Sequence, residues 1–85
     1  MSKPAARATK DTVLGGTILT GSSNVLINGR PAAFLGSMVG PHTGHTGVII
    51  KGNPTVLING KPAARMGDLT SCGHNVTTGS SNVWV

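Results

Sequence analysis

Tyrosine is absent from this 85-residue chain, and phenylalanine and tryptophan occur once each. So few aromatic rings leave almost nothing on which to stack bases. The basic residues do not form a run either, being dispersed at Lys3, Arg7, Lys10, Arg30, Lys51, Lys61 and Arg65. The net charge of +5 therefore reads as a solvated basic surface suited to an acidic partner or an anionic membrane, and nucleic acid is not expected as a partner. A single cysteine, Cys72, excludes an internal disulfide framework. Asp11 and Asp68 are the only acids, and the serines stand in turn-like "GSS" contexts. The one nucleophile with a base nearby is Cys72, close to His74, so an enzyme is not expected. No apolar run is long enough to cross a bilayer, and "MSKPAARATK" lacks the apolar stretch of a signal peptide, so any export must use another route.

What the chain does have is 13 Gly and 5 Pro, with its apolar weight in Val, Ile and Leu. That composition predicts short strands joined by tight turns. One small domain is expected, and at this length folding buries roughly 60% of the surface of the unfolded chain. Such a core is marginal alone. Without disulfides, the candidate staple is a metal.

Internal repetition organises the whole sequence. "GSSNVLINGRPAAF" begins at Gly21, "GNPTVLINGKPAAR" at Gly52 and "GSSNVWV" at Gly79. The third copy stops after its strand, but joining Val85 to Met1 gives "NVWV-MSKPAAR", in register with "TVLI-NGKPAAR". The chain divides into repeats 21–51, 52–78, and 79–85 joined with 1–20. This is a ring of three units closed by adjacent termini.

Within each unit, Val25 and Ile27, Val56 and Ile58, or Val83 and Val85 share one face of a strand, and Leu26, Leu57 and Trp84 share the other. Asn28-Gly29 and Asn59-Gly60 suit the positive φ angles of a two-residue hairpin turn. The proline two residues later withholds a donor, which predicts a strand start or edge. A second apolar segment follows in each unit and makes Ile18, Ile49 and Val76 equivalent, facing a common axis. Units of this size cannot bury an apolar face alone, so three should pack about a pseudo-threefold axis. The expected fold is an all-β cone of short antiparallel strands. Its three similar edges suit a homotrimeric β-structure as partner, met by strand addition.

The segments after each "PAA" phrase differ, and they carry the histidines and the cysteine. His42 and His45 have H-x-x-H spacing in a Gly/Pro loop, and Cys72 and His74 form C-x-H. Alignment from the shared glycines puts His45 level with Cys72 and Leu14, so all four fall at the end opposite the "VLING" strands. Three imidazoles and a thiolate make a closed tetrahedral set for one structural zinc ion. Spacing alone leaves two alternatives beside it: unligated surface histidines with a buried thiol, and a Cys-His reactive thiol.

"KPAAR" at Lys3, "RPAAF" at Arg30 and "KPAAR" at Lys61, each preceded in the ring by a V-x-V/I strand, resemble the PAAR-repeat family. The resemblance implies a small β cone that caps the trimeric β-helical spike of type VI secretion systems and related contractile phage tails, one monomer per trimer. It implies His42, His45, Cys72 and His74 as zinc ligands. The base strands Val25–Leu26–Ile27, Val56–Leu57–Ile58 and Val83–Trp84–Val85 would continue the β-helix of the spike, VgrG in secretion systems. The chain is expected to be a stand-alone tip that sharpens the spike for envelope penetration and attaches effector proteins. It would be assembled in the bacterial cytoplasm and delivered outside or into a target cell, or would sit at a virion tail tip. The competing reading is a free zinc-binding module. Two departures stand out: Phe34 replaces Arg, and the "GD" after Arg65 is missing after Arg7 and altered to "GS" after Phe34.

Overall fold

Each alternating segment forms a short strand, and each Asn-Gly pair turns it back. A computed structural model describes residues 3–13, 16–42 and 45–85; the side chains of residues 41, 42, 45 and 46 lie outside that description. The strands are β1 (Thr12–Val13), β2 (Gly16–Ile18), β3 (Leu26–Ile27), β4 (Arg30–Pro31), β5 (Met38–His42), β6 (His45–Val48), β7 (Asn53–Ile58) and β8 (Lys61–Ala63). All named pairings are antiparallel, and no helix occurs among the described residues.

The base consists of three hairpins. β3 pairs with β4 through Ile27↔Arg30, and β7 with β8 through Ile58↔Lys61. Their turns use Asn28 and Asn59, both at φ 53°, followed by Gly29 and Gly60 at 79° and 83°. Asparagine tolerates the left-handed region because its short side chain can bond locally, and glycine has no Cβ to clash. The third hairpin joins the two ends of the chain. Lys3 and Val85 exchange backbone hydrogen bonds of 3.2 and 2.9 Å, and Pro4 bridges Trp84. The ring expected from the sequence is thus closed without a covalent joint.

At the axis the backbone forms a smaller ring. The amide of Ala6 donates to the carbonyl of Ala64, Ala64 to Ala33 and Ala33 to Ala6, each at 3.0 Å. A second threefold set surrounds it: Ala8 donates to Pro31, Leu35 to Pro62 and Met66 to Pro4, each at 2.8 Å. Every repeat therefore satisfies buried polar groups of its neighbours, which makes the units interdependent.

Alternation along an extended strand sends the two alanines of each "PAA" phrase to opposite sides. Ala5, Ala32 and Ala63 join Ile27 and Ile58 in a base layer, against which Val25, Val56, Val83 and Val85 pack. Ala6, Ala33 and Ala64 join Ile18, Ile49, Val76, Val13 and Val39 in an upper layer. The expected equivalence of Ile18, Ile49 and Val76 holds, since all three are buried in this layer. The repeated glycine that opens each unit has a matching cause. A Cβ added at Gly21, Gly52 or Gly79 would stand 2.7, 2.9 or 2.6 Å from Ala32 O, Ala63 O or Pro4 Cβ, so the backbones could not approach.

Above the alanines, hairpins β1–β2 and β5–β6 and the segment around 69–76 close on one another. Ile18 pairs with Val39, Ile49 with Thr70 and Val76 with Val13. Principal extents of 31 × 22 × 22 Å have the two equal widths that a threefold axis requires.

The departures after the "PAA" phrase prove to be matched substitutions. Asp68 accepts from the Arg65 amide at 2.6 Å and from its guanidinium at 2.9 Å. After Arg7 the carboxylate is not missing, as the aligned phrases suggested, but displaced by one residue: Asp11 accepts from the Arg7 amide and Nε, both at 2.8 Å. Thr9, at φ 63°, makes the left-handed turn that Gly36 and Gly67 make in the other copies. In the middle copy Ser37 Oγ accepts from the Phe34 amide at 3.0 Å. Ser37 is 0% exposed; with Phe34 in place of Arg, a carboxylate there would be a buried, unpaired charge, so both residues differ together.

Because Ala6, Ala33 and Ala64 are buried together in the upper layer while their backbones bond to one another, added volume there has nowhere to go. Ala33→Leu is expected to destabilise the fold by about 1–3 kcal/mol or more, read as a lower midpoint in thermal unfolding. An unchanged midpoint would show that the axial layer is not close-packed.

Candidate docking base and metal apex

The three base hairpins each leave one strand with a single neighbour. β4 and β8 are flanked on their outer sides by the next repeat, through Arg7↔Ala32 and Phe34↔Ala63, and Ala5 by Arg65. Strands β3 and β7 have no second partner among the described residues, because each belongs to a two-stranded sheet. Among the described residues the segment around Trp84 is bridged only to Pro4. Three free edges therefore lie around one axis, each with unpaired backbone groups able to accept an added strand.

The nine base residues singled out in the sequence separate by face. Leu26, Leu57 and Trp84 are 59, 58 and 55% exposed, far above what large apolar side chains need for stability. Ile27 and Ile58 are buried, and Val25, Val56, Val83 and Val85 are half-buried against the base layer. A partner at these strands would meet the leucines and the tryptophan as side chains and the remaining residues mainly as backbone.

Polar clasps that the sequence reading missed hold neighbouring hairpins at fixed spacing. Asn28 Oδ1 accepts from Ser80 Oγ at 2.6 Å, and Asn28 Nδ2 donates to Asn82 at 2.9 Å. The same arrangement recurs one repeat on, where Asn59 meets Ser22 and Asn24. The recurrence of "SSN" before two of the strands was the available signal. The serines also accept from backbone amides, Val25 at 2.9 Å and Val83 at 3.0 Å, which shapes the entry to each strand.

Both carboxylates are buried in ion pairs, Arg7–Asp11 and Arg65–Asp68. Side-chain hydrogen bonds to these aspartates raise the pKa of Arg7 and Arg65, with burial opposing and the direct charge attraction adding. A raised basic group contributes stability that is full below its unfolded-state pKa and lost above the folded one, so this contribution persists until strongly alkaline pH.

The opposite end is built from unequal hairpins. Repeat 21–51 extends furthest, with β5 and β6 paired up to His42↔His45. Repeat 52–78 turns more tightly, with Thr70 donating to the His74 carbonyl at 2.9 Å and Gly73 to Thr70 at 3.0 Å. Cys72 and His74 thus sit on one turn and the backbones of His42 and His45 face each other on the next. The side chains of the two histidines lie outside the described residues. Among the described residues no three potential metal ligands converge.

One contact joins the two hairpins. Cys72 Sγ and Ser71 Oγ occupy the space that a Cβ on Gly47 would fill, and Gly47 lies two residues from His45 in β6. Ser71 also accepts from the Val48 amide at 3.0 Å. The thiol is therefore seated against the hairpin that carries His42 and His45, and soft thiolate with imidazole is the donor chemistry that suits zinc.

Among protein families, the chain matches the PAAR motif over residues 8–78. No match to a curated protein was found.

Gly47→Ala is expected to push Cys72 from its seat. Faster alkylation of the thiol and a lower unfolding midpoint are the expected outcomes; wild-type values for both would show that the apex has room to spare.

Proposed function

Because the chain belongs to the PAAR-motif family, whose members are spike tips of type VI secretion systems and related contractile phage tails, we propose that it caps a trimeric β-helical spike at one monomer per trimer. VgrG is that spike in a secretion system. The observation that carries this reading is the set of three free edge strands around one axis, each with one large exposed apolar residue, Leu26, Leu57 or Trp84. A homotrimer ends in three identical sets of open strand edges, which a single pseudo-threefold chain can cover at once.

The role is mechanical, and no residue is given a catalytic part. Base hairpins joined through the axial alanine ring to a closed upper layer form a stiff wedge, which would spread axial load from a narrow point over three spike chains. Effector proteins would ride on the same particle. Assembly would take place on the spike in the bacterial cytoplasm or on a phage tail, before delivery across the target envelope.

At the apex we assign His42, His45, Cys72 and His74 as ligands of one structural zinc ion. The seating of Cys72 against Gly47 and the shared end of the four backbones support the assignment. Bound zinc would supply a cross-link between two hairpins that have little core of their own, and structural zinc in small peptides binds with about 10–16 kcal/mol.

Two measurements test these assignments. Leu57→Asp is expected to weaken binding to the spike trimer at least about tenfold, since an edge-to-edge contact would have to bury a charge; undiminished binding would remove the base from the interface. Cys72→Ser is expected to lose bound zinc by elemental analysis and to melt at lower temperature. Full metal content in that variant would contradict the ligand set.

A further inference from the structure

Three exposed cations occupy one pseudo-equivalent position. Lys3, Arg30 and Lys61 each open the second strand of a base hairpin, opposite Val85, Ile27 and Ile58 in turn. Each leans over the turn of the neighbouring repeat. Arg30 Nη1 is 3.3 Å from Thr9 Oγ1, Lys61 Nζ is 5.4 Å from the centroid of the Phe34 ring, and Lys3 Nζ lies 4.0 Å from where a Cβ on Gly67 would stand. Every seam between repeats therefore carries one positive charge.

Among the described residues no side-chain carboxylate answers these charges. The chain's two side-chain carboxylates are 1 and 3% exposed and engaged by Arg7 and Arg65. The side-chain contacts of Arg30 and Lys61 among the described residues are to the neutral Thr9 and Phe34, and the exposed surface has no aspartate or glutamate side chain. Cations on the strand beside a free edge also repel a second copy of the same chain, which keeps the edges available for a different partner. Charge complementarity then sets the chemistry of that partner.

We propose that the partner seated on the base presents a threefold set of carboxylates, one aspartate or glutamate per chain, to Lys3, Arg30 and Lys61. The inference rests on the capping reading above and adds the chemistry of the partner's rim. Lys10 and Lys51 are equally exposed but have no pseudo-equivalents, so they lie outside the set. A fluid anionic bilayer is the weaker match, since nothing in it selects three positions a third of a turn apart. The ring steers the tip onto the acidic end of the spike, and the apolar residues and strand edges then hold it.

The test compares the triple variant Lys3→Gln/Arg30→Gln/Lys61→Gln with the control Lys10→Gln/Lys51→Gln. Association with the spike trimer of the same machine is followed at ~50 and ~200 mM NaCl, on either side of physiological screening. The triple variant is expected to associate about tenfold more slowly at low salt and to lose most of the salt dependence, whereas the control stays within about twofold of wild type. Because all five positions are exposed, thermal unfolding should be unchanged and confirms that each variant is folded. Triple and control variants that seat alike, at one monomer per trimer, overturn the carboxylate ring and leave the capping reading intact. Failure of the wild type to seat overturns both. A triple variant that seats normally yet no longer binds phosphatidylserine vesicles reassigns the ring to a membrane and overturns the proposal.

Discussion

Three backbone hydrogen bonds in a closed ring, from Ala6 to Ala64 to Ala33 and back, are the constraint on which the rest depends. The residues are alanines because three chain segments must come within hydrogen-bonding distance of one axis, and any larger side chain would hold them apart. Once those bonds form, the flanking prolines receive amides from the next repeat, and the alternation of the extended chain sends one alanine layer toward the base and one toward the apex. No repeat can complete its polar bonding alone. The small size of the core matters less under this arrangement, because loss of one unit strips partners from the other two.

The ring imposes symmetry on the backbone and leaves side chains free to vary in matched groups. Arg–Asp in two copies and Phe–Ser in the third perform one local task, which is to cap the amide of the residue after the alanines. The guanidinium accompanies the carboxylate and vanishes with it. At the upper end the freedom is greater, with hairpins of three lengths around the same layer. Unequal tips are what allow chemically distinct residues to gather at a single apex, since a strict threefold would present the same residue three times.

Much of this was legible in the sequence because its determinants are local. Asn-Gly turns, period-two alternation and the joining of "NVWV" to "MSKPAAR" required only adjacent residues and a register. Asp11 was overlooked because one inserted residue shifts it from the aligned position, and nothing local announces that Thr9 will adopt a left-handed φ. The clasps from Asn28 to Ser80 and Asn82 were equally hidden, since they link positions more than fifty residues apart. At the apex the sequence placed Cys72 near the other candidates, but its seat against Gly47 depends on how two hairpins of unequal length lean together.

The three base edges carry Leu, Leu and Trp at equivalent positions. A molecule with three like sides can be turned by a third of a revolution and offered again to a threefold partner. On a homotrimer the three settings are equal in energy whatever the sides carry, so the triple degeneracy would favour binding by RT ln 3, about 0.65 kcal/mol, and the apex would point at random in one of three azimuths. Trp84 makes one side unlike the others, yet a true homotrimer has no odd side to match it. On the capping reading every assembled particle would therefore have an arbitrary rotational setting of its tip, and any averaged image taken along the axis would blur the unequal hairpins into a false threefold.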